Sequence, residues 1–250
     1  MIAAIRCEAG KTVRSLVGII TIVAYVGGVT TLCSVIITIA RSGDTQLIAK
    51  LGSSVTVDWA GLVSAAAQIT GAGGFVASGV VAAWIFAREF ADRTVSRLFA
   101  LPVSRGRIAI AKIAVLGLWN LAAAVLILAL LLIAGSVLGL GVPTPGEWAA
   151  LARIPILVVL TAIAVLPVVW VASITGSLLA AVGSAVGLLL VTQVGVLSGS
   201  GGWMPFAAPA LWAMPGGASV SAGQLTLTAG VGAVAAVATV VVWRRLQLDR

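Results

Sequence analysis

Apolar residues in this chain run in long unbroken stretches, at about 16–40, 59–87, 108–140, 154–174, 177–198 and 223–243. A barrel strand would alternate apolar and polar positions, and none of these stretches does, so each reads as a helix. Each meets or approaches the roughly 20 residues that cross about 30 Å of hydrocarbon. The pattern predicts an all-α polytopic membrane protein with six transmembrane helices, organised as a single transmembrane domain over 1–250.

The polar intervals complete the layout. Residues 1–14, MIAAIRCEAGKTVR, place Ile2, Ile5 and Ala9 on one helical face and Arg6, Glu8 and Lys11 mostly elsewhere, as in a helix lying in the membrane interface. Segments 41–58 and 141–153 are polar loops, the second broken by Pro143 and Pro145. The turn SITGS around Ser173 to Ser177 carries no charge and must be tight. Residues 199–221, GSGGWMPFAAPALWAMPGGASVS, are too apolar for a solvated loop and too rich in Gly and Pro for a span. Irregular backbone at membrane depth survives when it is buried in protein or lines a cavity. A re-entrant segment between spans five and six follows, with Trp203, Pro205, Pro209 and Trp212 as candidates for an outer gate. The alternative is a loop resting on the headgroups through its two tryptophans.

Composition agrees with lipid as the solvent. The chain is 61% hydrophobic and 9% charged, with a mean hydropathy of +1.20, whereas soluble domains are about a quarter charged. The apolar run after the basic N-terminus is too long for a secretory signal and is read as a retained first span. Two distant cysteines, Cys7 and Cys33, and no histidine make a metal site or a disulfide framework untenable. The net charge of +8 sets topology and gives no reason to expect nucleic acid. With both termini cytoplasmic, Arg6, Lys11, Arg14, Arg88, Arg93, Arg97, Arg105, Arg107, Lys112, Arg244, Arg245 and Arg250 lie inside, against Arg41, Lys50 and Arg153 outside.

Little in the chain could supply energy. AGKT at Ala9 to Thr12 imitates a phosphate-binding loop, but its first glycine would fall at Ile5 and no buried strand precedes it. The acids Glu8, Asp44, Asp58, Glu89, Asp92, Glu147 and Asp249 fall at span ends or in loops. The polar groups left inside spans read as neutral, among them Tyr25, Thr70, Thr161 and Thr192, so no proton relay or hydrolase site can be assembled. Gln68, Asn120 and Gln193 are candidate cavity groups, with hydrogen bonding between helices as the competing role. Glycines four apart at Gly135/Gly139, Gly183/Gly187 and Gly195/Gly199, and the cluster Gly71, Gly73, Gly74, Ser78 and Gly79, permit close helix approach within the chain or across a dimer.

The interior segment Glu89 to Arg107, EFADRTVSRLFALPVSRGR, concentrates charge between two spans while keeping Phe90, Leu98, Phe99 and Leu101 as an apolar side. An amphipathic helix ended by Pro102 fits, and a soluble partner could push on it. The pattern F-A-R-E-F-x-D-R-T-x-x-x-L-x-x-L-P-V-S-R-x-x-I-x-x-A-K resembles the inter-span segment of the permease subunits of bacterial ABC-type exporters, the ABC-2-like class. The match rests on Glu89, Thr94, Leu98, Pro102, Ser104, Arg105 and Lys112; Arg93 stands where that family carries glycine.

The resemblance implies a cytoplasmic coupling helix between spans two and three, seated on an ATPase through Glu89, Phe90, Asp92, Arg93, Thr94, Arg97, Leu98 and Phe99. It implies two copies of a cytoplasmic ABC ATPase and a second permease, identical or homologous, in a bacterial cytoplasmic membrane. ATP and Mg would bind the ATPase and no cofactor would bind this chain, which is a transport subunit rather than an enzyme. The neutral, apolar spans favour amphipathic or hydrophobic cargo such as a peptide antibiotic, a drug or a lipid. A non-transporting membrane scaffold that recruits a cytoplasmic partner is the alternative, and a secondary carrier a third; co-purification of an ATPase discriminates them.

Overall fold

Five of the described helices start where the sequence supplies a side-chain acceptor for otherwise unpaired N–H groups. In the computed structural model, which describes residues 2–43, 56–95, 103–214 and 220–246, Ser15 caps α2 (Leu16–Ser42) and Asp58 caps α3 (Trp59–Ala91). Further along, Thr144 and Glu147 form a capping box on α5 (Pro145–Ala164), Ser177 caps α7 (Leu178–Leu197), and Ser221 with Gln224 boxes α9 (Ala222–Arg245). The remaining helices are α1 (Ile2–Val13), α4 (Arg105–Val137), α6 (Leu166–Thr175) and the short α8 (Ala208–Ala213), preceded by a 3-10 turn at Gly201–Trp203.

Among the described residues, six helical stretches are long and apolar enough to cross a membrane: α2, α3, α4, the pair α5–α6, α7 and α9. The fourth is broken at Val165. Pro167 has no N–H to give the carbonyl of Ile163 four residues back, so α5 stops and α6 restarts. Gly232 of α9 uses the gap: a Cβ there would stand 2.7 Å from that carbonyl oxygen. The uncharged turn after α6 closes in two residues through Gly176 at φ 59°.

The core is built around α3, the most enclosed span, with 61% of its apolar window buried against 22% for α2, α7 and α9. Its small residues let neighbours approach. A Cβ on Gly71 would meet Ala210 of α8, on Gly74 the Tyr25 hydroxyl of α2, and on Gly79 Ala185 of α7. Two of the glycine pairs read as packing motifs have a different basis. Gly139 (φ 66°) and Gly199 (φ 80°) are the left-handed residues that end α4 and α7. Only their partners face a neighbour, Gly135 against Trp59 and Gly195 against Met204.

Residues 201–214 pack on the spans. Phe206 meets Phe75 edge-on at 5.7 Å, the Pro205 carbonyl accepts from Thr228 Oγ1 at 2.7 Å, and Arg153 lies 5.6 Å from the Trp212 ring centroid. Pro209 opens α8 and is buried, whereas Trp203 is exposed beside Trp170 and α9, where they line an apolar groove of about 750 Å³.

Candidate functional site

Charge gathers where α1, the C-terminal end of α3, the N-terminal end of α4 and the C-terminal end of α9 meet. α3 ends through a hydrogen-bonded cap: Arg93 N–H donates to the Phe90 carbonyl at 3.2 Å and Thr94 N–H to the Glu89 carbonyl at 2.9 Å. This is the six-to-one plus five-to-two pattern of a Schellman motif, which needs a left-handed residue at its turn. Arg93 fills that place at φ 53°. The position where the related family carries glycine is therefore the one whose backbone favours glycine.

With the Glu89 carbonyl held in the cap, its carboxylate points into the protein. Both oxygens lie 2.9 Å from Lys112 Nζ, which also donates to Glu8 Oε2 at 3.0 Å and to the Ile85 carbonyl at 2.6 Å. Lys11 Nζ closes the ring, 2.6 Å from Glu8 Oε1 and 3.3 Å from Glu89 Oε1. Two lysines and two carboxylates thus form a balanced buried cluster, with Lys112 at 0% and both glutamates at 6% exposure. Aromatic rings complete the wall: Lys112 Nζ lies 5.8 Å from the Phe86 centroid and 5.7 Å from that of Trp243. Both rings are fully enclosed, and the Trp243 indole donates to Ser173 Oγ at 3.0 Å.

The cluster also settles the state of α1. Burial alone would raise the Glu8 carboxyl, but the charge of Lys112 and the hydrogen bond and charge of Lys11 outweigh it and hold the group below its ordinary 4.5. Burial would lower the Lys11 ammonium, yet the hydrogen bond and charge of Glu8, followed by those of Glu89, hold it above its ordinary 10.5. Both groups are ionised across the neutral range.

This geometry corrects several readings of the sequence. Glu89 falls at a span end, as read, but it turns inward and is buried, while its neighbour Arg88 pairs with Asp92 at 3.3 Å. Glu89 and Phe90 do not open an amphipathic helix; they belong to the last turn of α3, and Asp92, Arg93 and Thr94 form its cap. The Phe90 ring packs edge-on to Trp243 at 6.1 Å and against Gly176, facing spans rather than a soluble partner. Arg97, Leu98 and Phe99 lie outside the described residues. Spans are not confined to neutral polar groups either, because Lys112 sits inside α4. Glu8 belongs to the buried side of α1 with Thr12, Ile5 and Ala9 partly covered beside them, while Ile2 is exposed.

The three amides do not converge on a cavity. Gln68 on α3 and Gln193 on α7 are exposed at the protein surface. Asn120 is buried in packed protein, accepting from Ser78 Oγ at 2.6 Å and donating to the Leu116 carbonyl at 3.0 Å. Asn120 joins α3 to α4, which is the competing role.

Residues 4–193 match a family described as ABC-2 family transporter protein. The chain belongs to this family. No curated protein matches the chain. An ABC-2 permease is a membrane component of a transporter, and the family as a whole works with ABC ATPases. In this permease, the cluster ties α1 to the two spans that flank the charged interior segment. Sequence reasoning placed Lys112 in the motif but missed its partners. A lone lysine in the run IAIAKIAVLG was the available signal, since a cation in an apolar span needs an acid nearby.

Proposed function

We propose that this chain is the permease of an ATP-driven exporter, working as a pair of membrane subunits with two copies of a separate cytoplasmic ABC ATPase. Both termini lie on the cytoplasmic side of a bacterial inner membrane. ATP and Mg act on the ATPase, and the cargo is amphipathic or hydrophobic. The observation that carries the reading is the Glu8–Lys112–Glu89 bridge. It joins α1, α3 and α4 at the end where the charged interior segment leaves the membrane.

The proposed mechanism follows from that bridge. The ATPase docks on the cap of α3, Asp92 to Thr94, and on the segment that follows it. Movement of the docked segment displaces the end of α3. Because Glu89 holds Lys112 on α4 and both hold Glu8 on α1, these three helices move together. Breaking the bridge would leave a charge buried without its partner, so the helices resist separating. Rocking of the linked helices against α7 and α9 alternates access to the cargo path. The broken segment 201–214 forms the outer closure, with Trp203, Pro205, Pro209 and Trp212 at or beside it.

A detergent pull-down of the tagged chain from native membranes tests the proposal. An ABC ATPase should co-purify in an amount equal to the permease, and Asp92→Lys combined with Arg93→Glu should reduce it without lowering permease abundance. Recovery of a soluble partner without nucleotide-hydrolysing activity would support a scaffold and contradict the transport reading.

A further inference from the structure

Beside the buried cluster, α1, the start of α2 and the end of α3 enclose a groove of about 770 Å³, whose lining includes Arg6, Lys11, Arg14, Ser15, Trp84 and Arg88. The local charge does not cancel. Among the described residues, Arg6, Lys11, Arg14, Arg88 and Lys112 face three acids, Glu8, Glu89 and Asp92. Arg6 and Arg14 are exposed and have no ion-pair partner among the described residues. The groove therefore offers two uncompensated guanidiniums, whose planar forks match phosphate oxygens in pairs.

The groove also has an apolar exit. Leu16 lines it, and Ile20 and Val23 continue the same face of α2, all three more than 60% exposed. On α3, Trp84 lines the groove with Arg88 at 4.8 Å from its ring, an arrangement suited to the headgroup boundary. A free anion would use the cations alone, whereas a lipid would use the cations and the apolar strip below them. We infer that this groove binds an anionic phospholipid, its phosphate between Arg6 and Arg14 and an acyl chain along Leu16, Ile20 and Val23. Basic pockets between transmembrane helices hold such headgroups by charge complementarity. A lipid seated there braces α1 against α2 and α3 from the membrane side, opposite the contact that α1 makes with Lys112.

Native mass spectrometry of the purified chain, titrated with phosphatidylglycerol or phosphatidylcholine, tests this without any ATPase, so its outcome is independent of the proposed transport role. The wild-type chain should retain phosphatidylglycerol preferentially. Arg6→Gln with Arg14→Gln should weaken that retention on the order of thirtyfold, about fivefold for each arginine. Phosphatidylcholine binding and the thermal midpoint in phosphatidylcholine should stay as in the wild type, and Arg245→Gln should keep the preference. Arg14→Gln alone gives the half-effect if the double variant is poorly folded. Equal retention of the two lipids, or an unchanged double variant, overturns the site. Displacement of phosphatidylglycerol by inorganic phosphate alone would assign the groove to a small anion and overturn the lipid.

Discussion

Lys112 has four oxygens within 3.0 Å and no exposure to solvent. Truncating one partner of such a pair leaves a charge without compensation and costs about 3–5 kcal/mol. Glu89→Ala should therefore lower the thermal midpoint sharply, contrary to what a residue at a wet span end would do. Glu89→Gln combined with Lys112→Met should recover part of the loss, and a double-mutant cycle in thermal unfolding measures the coupling. The pH dependence follows from the two shifted groups on α1. Glu8 is depressed, so its contribution is present above 4.5 and lost as pH falls through its lower folded value. Lys11 is raised, so its contribution is present below 10.5 and lost as pH rises through its higher folded value. A spin label at Ala3, an exposed position of α1, should stay ordered between those limits and loosen below the lower one. The lysine of this cluster was legible in the sequence as the last position of the inter-span motif, but not as a buried charge, because the polar groups inside spans read as neutral. Glu8 was not, because its partner lies 104 residues away and a helical wheel drawn by residue type sends a carboxylate outward.

Helices were the most legible elements. Long apolar runs need lipid whatever the tertiary context, so six spans followed from run length alone. Their ends were less legible, because caps depend on backbone geometry that residue type only suggests. The segment after Glu89 shows the difference. Its charges read as the start of a surface helix, yet three hydrogen bonds at Asp92, Arg93 and Thr94 end α3 there. Arg93→Gly should raise stability by about 1 kcal/mol, since only the side chain opposes the left-handed backbone; the thermal midpoint checks it. Phe90→Ala should cost about 2 kcal/mol, less than a wholly enclosed phenylalanine, because its half-buried ring packs on Trp243 and Gly176. A loss of ATPase binding with an unchanged midpoint would contradict that packing role. Glycine spacing misled for a similar reason, as Gly139 and Gly199 serve the turn rather than a neighbour.

At the scale of the whole molecule, α3 is surrounded while α7 leaves one face open. Gly183 and Gly187 have no atom within 4 Å of a built Cβ, and Val186, Leu190 and Val194 beside them are exposed. Small residues on an open span let a second helix come close, so the second permease is proposed to pack there. Light scattering in detergent should find the chain as a dimer, and Gly183→Leu with Gly187→Leu should make it a monomer while leaving the helical content unchanged. The central claim is that ATP-driven motion reaches the spans through the Glu8–Lys112–Glu89 bridge. Its most direct test is the distance between spin labels at Ala3 of the two permeases, measured by pulsed electron resonance in the ATPase complex. Trapping the complex with ATP and vanadate should shift that distance, and Glu8→Gln should abolish the shift while the ATPase remains bound. An unchanged distance on ATP trapping, or a full shift in Glu8→Gln, would contradict the account.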